Sequence, residues 1–207
     1  MFGDVSLLPY VVVALIVAAT VHEYAHAYVA DRLGDPTPRA QGRLTLNPLA
    51  HLDPVGALLI LIFRFGWAKP VPINPANFTN WRRDTMLVAA AGPLANITLL
   101  FIVGIPYKLG LLDIGATAAA MPLDHLLQVM LQINAMLAVF NLIPIPPLDG
   151  SKILMGLLPP AQAVTYARLQ PYGTWILLLL VFTSAVSIVL VGPMQWLIEQ
   201  ATGGGLM

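Results

Sequence analysis

The chain contains no cysteine. Disulfides, thiolate metal sites and cysteine nucleophiles are therefore excluded. Charge is also scarce. Asp, Glu, Lys and Arg make up 10% of the 207 residues, against about 25% in an ordinary soluble domain. The ten basic and ten acidic residues cancel, and no polybasic run points to nucleic acid. Met1-Phe2-Gly3-Asp4 lacks a positive n-region, and the apolar run behind it leads into a polar motif rather than a cleavage site, so the N-terminus does not read as a signal peptide. The remainder is apolar: 58% of residues are hydrophobic and the mean hydropathy is +0.79. A globule of that composition could not show a polar surface to water, so the chain reads as an integral membrane protein.

Four long apolar stretches run from Val5 to Ala30, Met86 to Tyr107, Leu123 to Ile143 and Thr174 to Ile198. Each is near the ~20 residues that a helix needs to cross the hydrocarbon core. A fifth run, Val55 to Phe65, is too short to cross untilted and is expected to be short or re-entrant. The expected fold is an all-α polytopic membrane protein with about four full transmembrane helices, forming one domain over residues 1–207. Two Pro- and Asn-rich stretches, 34–53 and 67–80, flank the short run and should not be helical. Arg43-Leu44-Thr45-Leu46 alternates as a short strand does. Pro70-Val71-Pro72-Ile73 suits an edge strand, the sheet position that tolerates proline. With the short run re-entrant, Arg32, Arg39, Arg43, Arg64, Lys69, Arg82, Arg83, Lys152 and Arg168 fall on or near one side, and Lys108 alone on the other. The first side should be the cytosol, with both termini outside. Trp67 and Trp81 fit an interfacial belt.

Three ionisable residues interrupt the first apolar run, in Val21-His22-Glu23-Tyr24-Ala25-His26. This is H-E-x-x-H. A spacing of four puts both histidines on one helix face, about a turn apart, where two imidazoles can share a tetrahedral zinc. Glu23 can then take a proton from a water that zinc activates, while zinc also polarises the scissile carbonyl. A charged residue in a membrane helix costs roughly 2.5–3.5 kcal/mol even on insertion scales, so the cluster needs a reason. The plain alternatives are a polar patch between helices or an ion pathway.

A catalytic zinc usually has three protein ligands and an open position. The third must come from elsewhere: His51, His125 or a carboxylate. Asp149 is the carboxylate of interest, in Asn141-Leu142-Ile143-Pro144-Ile145-Pro146-Pro147-Leu148-Asp149-Gly150. Its prolines must unwind the helix that ends there, and an unwound segment at membrane depth is tolerated only in protein or beside a wet cavity. Gly150 permits a tight turn and close backbone approach. Depth agrees. His22 lies fifteen residues past Leu7, so roughly 22 Å deep and about 8 Å from the inner face of a ~30 Å core. The third span, running inward from Leu123, delivers Asp149 near the same face.

On these residues the chain resembles the site-2 protease family of intramembrane zinc metalloproteases. The resemblance rests on His22-Glu23-x-x-His26 and on the Asn141 to Gly150 motif. Gly92-Pro93-Leu94-Ala95-Asn96, Gly42 to Pro48 and Pro70 to Pro75 extend it. It implies one zinc held by His22, His26 and Asp149, with Glu23 as general base. It also implies hydrolysis of peptide bonds in or near transmembrane helices of membrane-protein substrates, opened to water from the cytosolic side. Asn96 and Asn141 become candidates for substrate or oxyanion positioning, against plain interhelical hydrogen bonding. Relative to larger family members the chain is expected to be a minimal core without a PDZ or regulatory domain. A prokaryotic cell membrane is the expected location.

Pro70, Val71, Pro72 and Ile73 are candidates for holding substrate, because an unwound segment could pair with an edge strand. The alternative is a structural hairpin. His51 is a possible auxiliary to the metal or a turn element, and His125 reads as interfacial. Met194 and Trp196 read as packing or lipid-facing residues. A transporter would place ionisable residues in several spans, and the later runs hold almost none. A catalytically dead relative would not need His22, Glu23, His26 and Asp149 intact. No G-x-S-x-G elbow supports a serine enzyme, and no second intramembrane aspartate an aspartyl one.

Overall fold

In the computed structural model, residues 5–53, 56, 69–112, 122–183 and 185–204 are described. The short run at 55–65, apart from Gly56, and Trp67 lie outside them. The elements are α1 (Leu8–Arg32), α2 (Thr37–Ala40), α3 (Trp81–Lys108), α4 (Pro122–Leu142), α5 (Asp149–Leu157), α6 (Pro160–Ala167), α7 (Gly173–Phe182) and α8 (Ala185–Thr202), with short 3-10 turns between them. α1, α3 and α4 are long and apolar enough to cross a membrane. α3 has 28 residues, about 42 Å at 1.5 Å per residue, so its ends reach beyond a ~30 Å core into the headgroup layer.

Helix α3 is the central post, packed against α1, α4, α5 and α8. The reason lies in small residues. Along α1, Ala14, Ala18, His22, His26 and Ala30 recur every fourth position and all are buried. That stripe lets backbones approach closely, which drives helix association where lipid is as apolar as leucine. The histidines therefore stand in the packed face, not toward lipid. Ala14 and Ala18 meet Val129 and Ile133 of α4, and Ala30 meets Val88 of α3 and Phe78. Leu100, Val103, Leu131 and Ile198 tie α3, α4 and α8 together. Leu94, Ile102, Ile105 and Ile188 stay exposed, as side chains facing lipid do.

The start of α3 is capped reciprocally. Asn80 accepts from the Arg83 N–H, and Asp84 accepts from the Asn80 N–H. Proline ends α4. Leu142 is its last residue, the prolines at 144, 146 and 147 prevent continuation, and α5 begins at Asp149.

Two expectations change. The fourth apolar run is not one straight helix: Pro160–Phe182 and Ala185–Thr202 pass as a span only as a pair bent by 80°. At the break the Thr183 hydroxyl and N–H both donate to Leu179 O, at 2.8 and 2.9 Å, the back-bonding that bends helices. Among the described residues there are thus three helices long and apolar enough to span, or four if the bent pair is one. Nor do extended β elements form among the described residues. Arg43–Leu46 holds only a bend at Leu44 and Thr45, and Pro70–Ile73 belongs to no strand. Pro70 and Pro72 have no N–H to give a ladder, and the Val71 N–H donates instead to the Glu23 side chain.

Candidate metal centre

Two elements distant in sequence meet at one point. α1 brings His22 and His26 on its buried stripe, and the start of α5 brings Asp149. His26 Nε2 lies 3.0 Å from His22 Nε2, and Asp149 Oδ2 lies 3.2 and 3.1 Å from these two nitrogens. All three residues are buried, and they are the one group of His, Cys, Asp and Glu able to share a metal ion among the described residues.

The hydrogen bonds behind each ring decide what the converging atoms are. His26 Nδ1 is 2.7 Å from Val88 O. A carbonyl only accepts, so Nδ1 carries the proton and Nε2 presents a lone pair. His22 Nδ1 is 2.6 Å from Asn96 Oδ1. The amide of Asn96 is oriented by its other end, where Nδ2 donates to Ala18 O at 3.1 Å and to Asn134 Oδ1 at 3.0 Å. Asn134 in turn donates to Met130 O. A directed chain from α4 through α3 thus puts the His22 proton on Nδ1. In the neutral rings two imidazole lone pairs and a carboxylate oxygen then face one another at about 3 Å. A cation at their centre satisfies all three atoms at once. Two nitrogens and one oxygen suit zinc.

The surroundings fit the same group. Asp149 Oδ1 accepts from Lys152 Nζ at 3.1 Å, which leaves Oδ2 to face the rings. Asp149 stands in the first turn of α5, where the helix dipole favours a negative charge. Gly92 of α3 faces the histidines with no side chain. A Cβ there would lie 2.5 Å from both Nε2 atoms. Gly150 is equally confined, since a Cβ would run into the backbone carbonyls of Leu142 and Ile143, so the turn that presents Asp149 closes tightly on the end of α4.

Glu23 is half-buried beside His22, and its Oε2 accepts from the Val71 N–H at 2.9 Å. Asn96 spends its carboxamide inside the bundle, on His22, Ala18 and Asn134. Asn141 donates to Leu137 O one turn back. His51 is buried away from the three converging atoms, with Nε2 on Thr45 O at 2.8 Å, closing the 45–51 turn. The ring of His125 lies 5.8 Å from that of Tyr10, at the far end of the bundle from the histidine pair. Asn134 is the residue that sequence reasoning passed over. Its signal was a carboxamide in the middle of an apolar span, which needs a partner as much as an ionisable group does.

Comparison with known proteins agrees with the chemistry. Residues 102–184 match peptidase family M50. YwhC of Bacillus subtilis, described as a candidate zinc metalloprotease, is 42% identical over 194 residues, which span 92% of this chain and 88% of YwhC. Rip2 of Mycolicibacterium smegmatis, described in the same words, is 30% identical over 86% of this chain and 68% of its own length. Rip2 of Mycobacterium tuberculosis is 29% identical over 91% of this chain and 73% of its own. No solved structure matches. A buried two-histidine, one-carboxylate centre inside apolar helices and relatives of this kind lead to one conclusion: the chain belongs to peptidase family M50, and is a zinc metalloendopeptidase of the membrane.

Proposed function

We propose that this chain hydrolyses peptide bonds in or near the transmembrane helices of membrane-protein substrates, with His22, His26 and Asp149 as zinc ligands and Glu23 as general base. The observation that carries the reading is the convergence of three lone-pair donors, at about 3 Å, inside a bundle of membrane-length helices. Zinc held there supplies a Lewis acid for the scissile carbonyl and lowers the pKa of water.

The chain's own residues do the rest. Asn96 and the Val88 carbonyl hold both rings with Nε2 inward, and Lys152 orients the carboxylate of Asp149. Glu23, next to His22 on α1, takes the proton from the attacking water. Asn141, whose Nδ2 is spent on Leu137 O, offers its Oδ1 to a substrate N–H. The stretch Pro70–Ile73 lies against Glu23, so an unwound substrate segment that pairs with it arrives at the base. The excess of Lys and Arg on one side supports a centre facing the cytosol of a bacterial membrane. Residues 1–207 act as one proteolytic unit.

The test uses purified protein in detergent with a panel of single-span peptides and mass spectrometry of the products. Wild type should cut within or beside the span. Glu23→Gln should keep about one zinc per chain and lose cleavage, because the base is not a ligand. Full activity in Glu23→Gln, or no cut in any span by wild type, would overturn the reading.

A further inference from the structure

Asp35 is fully buried just beyond α1 and takes no part in the metal centre. Its Oδ1 accepts from the Thr37 N–H at 3.1 Å, the Thr37 hydroxyl at 2.5 Å and Asn77 Nδ2 at 2.7 Å. Its Oδ2 accepts from the Asn74 N–H at 2.7 Å. No cation pairs with it among the described residues. A buried carboxylate without a counter-ion is tolerated only when its donors are fixed, so this one is a rigid post. It is also rigid with respect to α1, because the Asp35 N–H donates to Ala30 O at 3.0 Å.

The post holds one end of the stretch from Lys69 to Asn74. At the other end the Lys69 N–H donates to His51 O at 2.9 Å, and Lys69 O accepts from the Arg43 guanidinium. Of the four residues between these anchors Pro70 and Pro72 have no N–H; Val71, flanked by the two prolines, spends its N–H on Glu23 Oε2. A slip of one residue would present Glu23 with a proline nitrogen and no hydrogen bond.

We propose that Asp35 is a positioning residue for hydrolysis: by fixing Asn74 it sets the register of the 69–74 stretch, so that the Val71 N–H meets Glu23 and aims its carboxylate. The inference rests on Glu23 being the general base. It deepens that reading, because Asp35 acts on the base through a backbone amide and touches neither zinc nor substrate.

Asp35→Asn is the selective perturbation. If its Oδ1 keeps the three donors from Thr37 and Asn77, its Nδ2 is left facing the Asn74 N–H, donor against donor. The assay is steady-state cleavage of a transmembrane peptide cut by wild type, with zinc content measured on the same preparation. Asp35→Asn should lower kcat roughly ten- to hundredfold, the worth of a hydrogen bond to a charged group, with KM within about twofold and zinc unchanged. Replacing the Val71 amide by an ester, which deletes the N–H, should lower kcat by the same factor. The two changes together should do no more than either alone. An ester at Asn74, which leaves Asp35 in place, gives the same test should Asp35→Asn not fold. Wild-type kcat in the Asn74 ester, independent and multiplying losses from Asp35→Asn and the Val71 ester, or a loss that tracks zinc content would each overturn the inference. Failure of the parent reading looks different: activity would survive in Glu23→Gln. A zinc-loaded, inactive Glu23→Gln beside a fully active Asn74 ester would sink the Asp35 role alone.

Discussion

Gly92→Ala adds one methyl group at the point where the structure has least room. The new Cβ would lie 2.5 Å from Nε2 of both His22 and His26 and 2.6 Å from Cε1 of His22. Ordinary contacts begin near 3.4 Å, so each ring must retreat by roughly 0.9 Å. Neither can do so freely, since His22 Nδ1 is held by Asn96 and His26 Nδ1 by Val88 O. Two rings forced about 30° off their rotamers cost about 1 kcal/mol each, and two loosened hydrogen bonds about 1 kcal/mol each. The total, about 4 kcal/mol, is roughly a thousandfold in zinc affinity. Metal sites tolerate distance errors of only about 0.2 Å, so catalysis should fall further than binding. Zinc affinity is measured by competition against a chromophoric chelator, with circular dichroism to check that helix content is kept. A folded Gly92→Ala protein with wild-type zinc affinity and cleavage would refute the placement of α3 against the histidines, and with it the geometry of the site.

Asn96→Ala leaves the His22 Nδ1–H without its acceptor and Asn134 Oδ1 without its donor. Loss of such a supporting partner typically costs 10–100-fold in metal affinity or activity, and competition titration with the same chelator checks it. Zinc removal should lower the midpoint of thermal unfolding, because the metal binds only the folded arrangement, by about 4 kcal/mol-equivalent at a thousandfold excess over Kd; re-addition should restore it. Burial acts to raise the Asp35 carboxyl, but donors from Thr37, Asn74 and Asn77 outweigh it, so the group titrates below the usual carboxylate range. The stability it contributes is therefore complete above the unfolded value of about 3.9 and lost as pH falls toward the folded one. In zinc-free protein, thermal melts should show that component of the acid loss in wild type and not in Asp35→Asn.

The chemistry was legible where it rests on local geometry. Four-residue spacing places His22 and His26 on one face of any helix, and an apolar run of that length in so lightly charged a chain is a membrane helix before any packing is known. The prolines around Asp149 marked a forced break, and a break at membrane depth has to be sheltered. Asn96 was legible as a candidate, but not as the acceptor behind His22, since a carboxamide's partners are set by which helices meet. Gly92 could be read as a packing or kink residue, whereas its role as the space in which two imidazoles stand exists only once α3 lies on α1. The Pro70–Ile73 stretch looked like an edge strand from its composition. The Val71 N–H donates to Glu23 instead, because Asp35 and His51, placed by other loops, hold the stretch there. The straight fourth span failed for a related reason: hydropathy reports whether a run can lie in lipid, not whether its backbone stays continuous. The sequence alone determined the solvent and the placing of His22 and His26 on one helix face, since solvent follows from composition and the pair from helical periodicity. Tertiary structure decided the hydrogen-bond partners behind the rings, the approach of Asp149 and the register against Glu23, because each depends on contacts between segments tens of residues apart.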